Sequence, residues 1–214
     1  MGNKQTGKEL LSCFFYFNFN LGEDKIMNKV ICVYSASSTT IDKIYFDAAE
    51  ELGRKIAENS DILLYGGGLL GLMGAVAKAV HDNIGKVIGV IPKALNLKGV
   101  VYETCDELII TEGMRERKAV MDTKSDVFIA LPGGYGTLDE LLEIINLKQL
   151  KYHNKPIVIL NINNFYDEIL KQFEHIINQQ FAKPEYKKLY FVTSNIQEAL
   201  EYIESYKPQK FGSK

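Results

Sequence analysis

"DVFIALPGGYGTLDELLEIINLKQL", residues 126–150, decides the fold. An apolar run of strand length passes through three glycines into a stretch whose apolar residues recur at helical spacing. A strand without polar alternation is covered on both faces. A brief strand–loop–helix step of this kind belongs to a parallel sheet wrapped by helices.

The same alternation extends in both directions. Short β-branched runs occur at "KVICVY" (29–34), "DILLY" (61–65), "KVIGVI" (86–91), "ELIIT" (107–111), "DVFIAL" (126–131) and "KPIVIL" (155–160), with "LYFVT" (189–193) as a candidate seventh. Helical spacing lies between them, as in Ile44, Ala48, Leu52 and Ile56. The pattern predicts an α/β fold, a Rossmann-like doubly wound parallel sheet of six to seven strands in three layers. A single domain is expected over residues 27–206, with an N-terminal arm at 1–26 and a tail at 207–214. In such sheets ligands bind beyond the carboxyl ends of the strands, so the loops there are the place to look for chemistry.

Composition narrows the partners. The 214 residues are 46% hydrophobic and 24% charged, with a net charge of −2 and scattered Lys and Arg. That is an ordinary globular balance with no electrostatic footprint for nucleic acid. Cys13, Cys32 and Cys105 are far apart, as are His81, His153 and His175, so neither set has metal-ligand spacing. Reduced thiols and a cytoplasmic protein are expected, with no metal and no cofactor. In the arm, "LLSCFFYFNFNL" is too short to span a bilayer and lacks a signal-peptide cleavage site. "MGNKQT" matches the myristoylation pattern over six residues only. "GEDKIM" reads as a translated ribosome-binding leader, which would place the natural start at Met27. The arm is expected to be disordered or a non-native leader, and no membrane partner is expected.

Three strand-end loops carry candidate chemistry. "VYSASSTT" (33–40) offers Ser35, Ser37 and Ser38 as phosphate donors or, alternatively, as helix caps. "YGGGLLGLMG" (65–74) has Gly66, Gly68 and Gly71 in dinucleotide-fingerprint spacing. The next strand runs into "VIPKALN" without the acid that a ribose diol requires, so a mononucleotide phosphate or sugar suits these glycines better. No P-loop pattern occurs. In the third loop, Thr137 and Glu140 form a T-x-x-E capping box before an expected Leu138–Leu150 helix. That accounts for Glu140 but not for Gly133, Gly134 and Gly136, which a phosphate on free backbone N–H groups would explain. Asp139 and Glu140 are compatible with that anion only if at least one faces sugar hydroxyls or a developing positive charge.

"EGMRERKAVM" (112–121) raises a related question. Met114 and Met121 are seven apart, with Arg117 and Lys118 between them on the same helical face. The two cations either snorkel to water or have a buried partner, for which Glu140 and a substrate phosphate are candidates.

"GGGLLGLMGAVA", "MRERKAVM" and "PGGYGTLDE", in this order, resemble the Lonely Guy (LOG) family over roughly Lys29 to Ile177. The resemblance implies a Rossmann-like homodimer that hydrolyses the N-glycosidic bond of nucleoside 5′-monophosphates to free base and ribose 5-phosphate. The implied base is N6-prenylated adenine in plants and several microbes, and the substrate is AMP for some bacterial relatives. By matching position, Arg117 and Glu140 are the expected catalytic pair. Lys118, Gly134, Tyr135, Gly136 and Thr137 are expected to line the phosphate and ribose, with Met114, Gly68, Ser37 and Asn146 as further substrate contacts. Asn146 departs from the Thr common in the family, and Ser35–Ala36 and Thr40 depart in the first loop.

The chemistry of these residues fits that implication. Cleaving C1′–N9 generates an oxocarbenium-like sugar, which a carboxylate stabilises while activating water. Family members also carry a lysine decarboxylase label. Pyridoxal-phosphate chemistry commonly uses a Schiff-base lysine with a histidine nearby, and no histidine here adjoins a lysine. The alternative of another class is a non-catalytic nucleotide or cofactor carrier on the same fold, which needs the glycine loops but not a paired Arg117 and Glu140. Ile144, Leu147 and Leu150 add apolar surface beside the Leu138–Leu141–Leu142–Ile145 stripe, so the helix is expected to bury two sides, one of them in a homodimer next to the site.

Overall fold

The computed structural model describes residues 28–209. The expectations placed on residues 1–26 and on the end of the tail lie outside the described residues. Seven strands form one sheet: β1 (Val30–Tyr34), β2 (Ile62–Tyr65), β3 (Lys86–Pro92), β4 (Glu107–Thr111), β5 (Val127–Ala130), β6 (Ile157–Leu160) and β7 (Phe191–Thr193). Six α-helices accompany them: α1 (Lys43–Glu58), α2 (Gly71–Asp82), α3 (Met114–Lys124), α4 (Tyr135–Gln149), α5 (Asp167–Asn178) and α6 (Ile196–Ser205). Strand order is β4-β3-β2-β1-β5-β6-β7, and every pairing is parallel.

Alternate residues of each inner strand feed two separate cores. Ile31, Val33, Leu63, Tyr65, Val127 and Ile129 pack on one face with Leu52 and Ile56 of α1, Val76 and Val80 of α2 and Leu200 of α6. Cys32, Tyr34, Leu64, Phe128 and Ala130 pack on the other with Met121 of α3, Leu141 and Ile144 of α4 and the apolar side of α5. Burial on both faces is why these strands read as unbroken apolar runs. The result is the three-layered doubly wound fold, with the seventh strand present.

Chain direction across the sheet reverses between β1 and β5, which are paired neighbours. The loops leaving these two strands therefore diverge and open a crevice at the switch point. The Ala36 N–H bridges it to the Pro132 carbonyl at 3.3 Å. Tyr166 braces the β5 side by donating its buried hydroxyl to the Leu131 carbonyl at 2.6 Å.

Two local expectations are corrected, and the helical spacing read on α1 is borne out. The cap of α1 is Asp42, whose carboxylate accepts the Ile44 N–H at 3.0 Å, so Ser35, Ser37 and Ser38 are not its caps. On α1, Ala48, Leu52 and Ile56 are buried, but Ile44 in the first turn is 43% exposed. The capping box at Thr137 does not form: α4 starts a turn earlier, at Tyr135, with Gly134 as N-cap and no side-chain cap bond. The Leu138 N–H bonds the Gly134 carbonyl at 3.0 Å, and Glu140 is drawn inward by a tertiary partner.

Candidate active site

Arg117 and Glu140 meet in the protein interior. Arg117 is on α3, which packs against β1, β3 and β4, and Glu140 is in the second turn of α4, which packs against β1. A guanidinium nitrogen of Arg117 donates to Glu140 Oε1 at 2.5 Å, and its Nε donates to the Val90 carbonyl at 2.9 Å. The residues are 6% and 9% exposed. A buried ion pair this tightly bonded is costly to assemble and more costly to break from one side. Burial pushes the Glu140 carboxyl above the usual carboxylate range, with Arg117 pulling the other way.

The guanidinium needs a gap in the glycine loop. A β-carbon on Gly66 would lie 2.3 Å from an Arg117 nitrogen, so Gly66 is the floor on which the arginine rests. Two other glycines of that loop have backbone duties. Gly67 has φ +73°, and Gly71, at φ +61°, brings the start of α2 against the Ala36–Ser38 backbone. Gly68 is buried and forms an isolated bridge with Val101.

The loop after β5 divides its glycines differently. A β-carbon on Gly133 would fall 2.0 Å from the Thr137 hydroxyl, so packing alone demands glycine there. Gly134 and Gly136 face open space and have no left-handed backbone. Nothing within the described chain requires them to lack side chains. The uncapped start of α4 presents its free N–H groups to that same space.

The two acids of this segment are each turned toward a cation from α3. Lys118 Nζ donates to Asp139 at 3.0 Å and also pairs closely with Glu143, and these partners hold its ammonium above the usual lysine value. Neither acid is left unpaired beside the helix start. Of the expected Met114–Arg117–Lys118–Met121 face, Met121 and Arg117 are buried, Lys118 is partly so, and Met114 is 46% exposed. Met114 therefore does not join the core: it opens the first turn of the helix, beyond the sheet's cover.

The other expected contacts differ in exposure, and none of their side chains bonds the Arg117–Glu140 pair. Tyr135 is 94% exposed and Thr137 is buried. Ser37 is exposed in the β1 loop, where the Ser38 and Thr40 hydroxyls are 3.3 Å apart. Ser35, offered by the sequence as a phosphate donor, is buried with a hydroxyl lacking a hydrogen-bond partner among the described residues. Asn146 is exposed on the outer face of α4, in an apolar groove with Leu142, Ile145, Phe173 and Tyr190. The two expected apolar sides of α4 are divided differently: Ile144 is buried in the core at 3% exposure, whereas Leu142 and Leu150 are 44% and 46% exposed and leave an apolar side of the helix open in a single chain. Among the described residues no group of three or more His, Cys, Asp or Glu is placed to hold a metal ion, and no helix is long and apolar enough to cross a membrane.

Comparison with known proteins places this chain in a family. Residues 73–203 match the family model described as "Possible lysine decarboxylase". The cytokinin riboside 5′-monophosphate phosphoribohydrolase LOG of Oryza sativa subsp. japonica is 43% identical, over 88% of this chain and 78% of that protein. The Arabidopsis thaliana enzyme of the same name, LOG5, is 42% identical, over 86% of this chain and 81% of its own. Among solved structures, the molybdenum cofactor carrier protein of Chlamydomonas reinhardtii superposes with a TM-score of 0.64 at 25% identity, over 83% of this chain and 96% of that one. The molybdenum cofactor binding protein of Rippkaea orientalis gives 0.64 at 24% identity with the same coverage, a likeness of fold.

Proposed function

The chain belongs to the Lonely Guy (LOG) family, described as possible lysine decarboxylase, and on that premise we propose that it is a nucleoside 5′-monophosphate phosphoribohydrolase. It is an N-glycosidase that hydrolyses the bond between the base and C1′ of a purine nucleotide, N6-modified adenine or AMP itself, to free base and ribose 5-phosphate. The observation that carries this reading is the buried Arg117–Glu140 pair beside an uncapped helix start whose Gly134 and Gly136 face open space.

Each part has a role in that reaction. The N–H groups at Gly134, Tyr135, Gly136 and Thr137 bind the 5′-phosphate, as helix starts bind anions. Lys118 contributes positive charge there, and Met114, Gly68, Ser37 and Asn146 complete the substrate contacts. Glu140 faces the sugar, stabilises the positive charge that develops at C1′ and takes a proton from the attacking water. Arg117 fixes the carboxylate in place and favours its ionised form despite burial. Fixing both the phosphate and the carboxylate sets the sugar against the water, which is how positioning lowers a barrier. This chemistry assigns no step to a metal or cofactor.

The open apolar side of α4 is where we place the interface of a homodimer, adjacent to the site. We assign the protein to the cytoplasm, with small-molecule nucleotides as its partners rather than nucleic acid or membrane. A carrier is the second reading, favoured by the fold shared with the molybdenum cofactor carrier. Incubation with AMP and with N6-isopentenyladenosine 5′-monophosphate separates the two. Release of base with stoichiometric ribose 5-phosphate supports the hydrolase, and the faster substrate identifies the base preferred. Tight binding without release supports the carrier.

A further inference from the structure

The seat of Arg117 depends on a segment that the reaction does not touch. Gly66 lies under the guanidinium, and the loop that continues from it is held from outside by the β3–β4 connection. The Tyr102 N–H donates to the Gly67 carbonyl at 2.9 Å, the Leu69 N–H donates to the Val100 carbonyl at 2.8 Å, and Gly68 bridges Val101. Residues 93–100 of that connection are all exposed, so its own packing does little to hold it. It is anchored at Val101, which is 4% exposed, at the side chain of Tyr102, and at Cys105, whose sulfur packs on the core beside the Tyr65 hydroxyl.

Tyr102 is fastened through a histidine. Its hydroxyl lies 2.9 Å from His81 Nδ1, at the last turn of α2, with the two rings 5.4 Å apart. His81 Nε2 lies 3.0 Å from Asp106 Oδ2, which also accepts the Val87 N–H at 2.8 Å. An imidazole that donates from Nε2 to Asp106 accepts the phenolic proton at Nδ1, so all three side chains are satisfied in one arrangement. Asp106 thereby ties the histidine to the start of β3. Tyr102 ties the exposed connection to the glycine loop.

We propose that His81 and Tyr102 form a positioning clamp for the catalytic arginine: together they hold the Gly66–Leu69 loop at the height on which the Arg117 guanidinium rests. The clamp rests on the phosphoribohydrolase reading for its catalytic consequence, but its mechanical part concerns Arg117 alone. Freed at Tyr102, the loop shifts beneath the guanidinium, and the bonds to Val90 and Glu140 lose their alignment. Small displacements of this kind penalise the transition state more than the bound substrate.

The test compares wild type with Tyr102→Phe, His81→Leu, the double variant and His81→Asn, whose side-chain oxygen can still accept the Tyr102 hydroxyl. Three quantities are measured: kcat and KM on AMP or its N6-isopentenyl derivative, the melting temperature, and the Arg117 Nε–H resonance in a 15N correlation spectrum. The clamp predicts that Tyr102→Phe and His81→Leu each lower kcat about tenfold with KM changed less than about twofold. It also predicts a displaced Arg117 resonance, a double variant no worse than either single one, and recovery in His81→Asn. Unchanged kcat and an unmoved resonance overturn it, as does a lowered melting temperature with wild-type kcat in the folded fraction. If wild type hydrolyses neither nucleotide, the functional reading fails instead, and the resonance alone decides the clamp: displaced in both single variants it stands, unmoved it falls.

Discussion

Arg117 lies directly over the α-carbon of Gly66, so close that a β-carbon there would come within 2.3 Å of the guanidinium. This contact explains a glycine that the sequence pattern assigns to a mononucleotide phosphate or sugar. Gly66→Ala forces the arginine off its seat. We expect kcat/KM to fall by about 100-fold or more, with a stability cost of roughly 1–3 kcal/mol for the overpacked contact. Steady-state kinetics beside a denaturant titration checks both, and wild-type turnover in the alanine variant would break the link.

The glycines of the second loop separate packing from binding. Gly133→Ala places a methyl 2.0 Å from the Thr137 hydroxyl and should lower the melting temperature by several degrees. Gly134→Ala and Gly136→Ala meet nothing and should melt close to wild type. They should nonetheless weaken AMP affinity by about tenfold or more, because the methyl enters space reserved for the phosphate. Calorimetric titration with AMP decides this, and unchanged affinity in both variants would remove the phosphate from that helix start.

Activity and the Glu140 contribution to stability should move in opposite directions with pH. Burial raises the Glu140 carboxyl above its ordinary value, and the reaction uses the ionised form. The acid limb of kcat/KM should therefore lie above the usual carboxylate range, with activity falling as pH falls through it. The folded state holds this proton more tightly than the unfolded chain. The stabilisation from Glu140 is thus present below the unfolded pKa and is lost as pH rises through the folded one. Melting curves of wild type and Glu140→Gln across the same pH range should show this slope in wild type only.

Lys148 is a stabilisation target outside the site. It is 1% exposed, its ammonium has no hydrogen-bond partner among the described residues, and it lies 4.9 Å from the centre of the Tyr206 ring. Burial pushes its pKa down to about 8. Below that pH the penalty is complete. Between about 8 and the ordinary lysine value the unfolded chain binds more protons, so stability rises with pH. Lys148→Met should raise stability at neutral pH by on the order of 2 kcal/mol, or about 4–8 °C, and flatten that alkaline rise. A variant that melts lower at pH 7 would show that Tyr206 already compensates the charge.

The sheet was legible because strands buried on both faces must be continuously apolar, and the expected runs fall within about two residues of the observed ones, as at Ile157–Leu160. The turn chemistry was less legible. Thr137 and Glu140 have capping-box spacing, yet the bond to Arg117 outcompetes the backbone for that carboxylate, and Gly134 opens the helix instead. Met114 shares heptad spacing with Met121 but lies where the sheet no longer covers the helix. The pairing of Arg117 with Glu140 was open to inference because an inward-facing cation needs a partner. The His81–Tyr102–Asp106 arrangement was not, since His81 on α2 lies 21 and 25 residues before its two partners in the β3–β4 connection and these separations match no local period.

The most direct measurement takes wild type and Glu140→Ala through nucleotide binding and base release in the same preparation, with AMP and its N6-isopentenyl derivative. Wild type is expected to release base and ribose 5-phosphate in equal amounts, while Glu140→Ala still binds nucleotide but releases base at least about 100-fold more slowly. Equal release by both proteins would remove Glu140 from the reaction. Binding without release by wild type would make the Arg117–Glu140 pair part of a carrier.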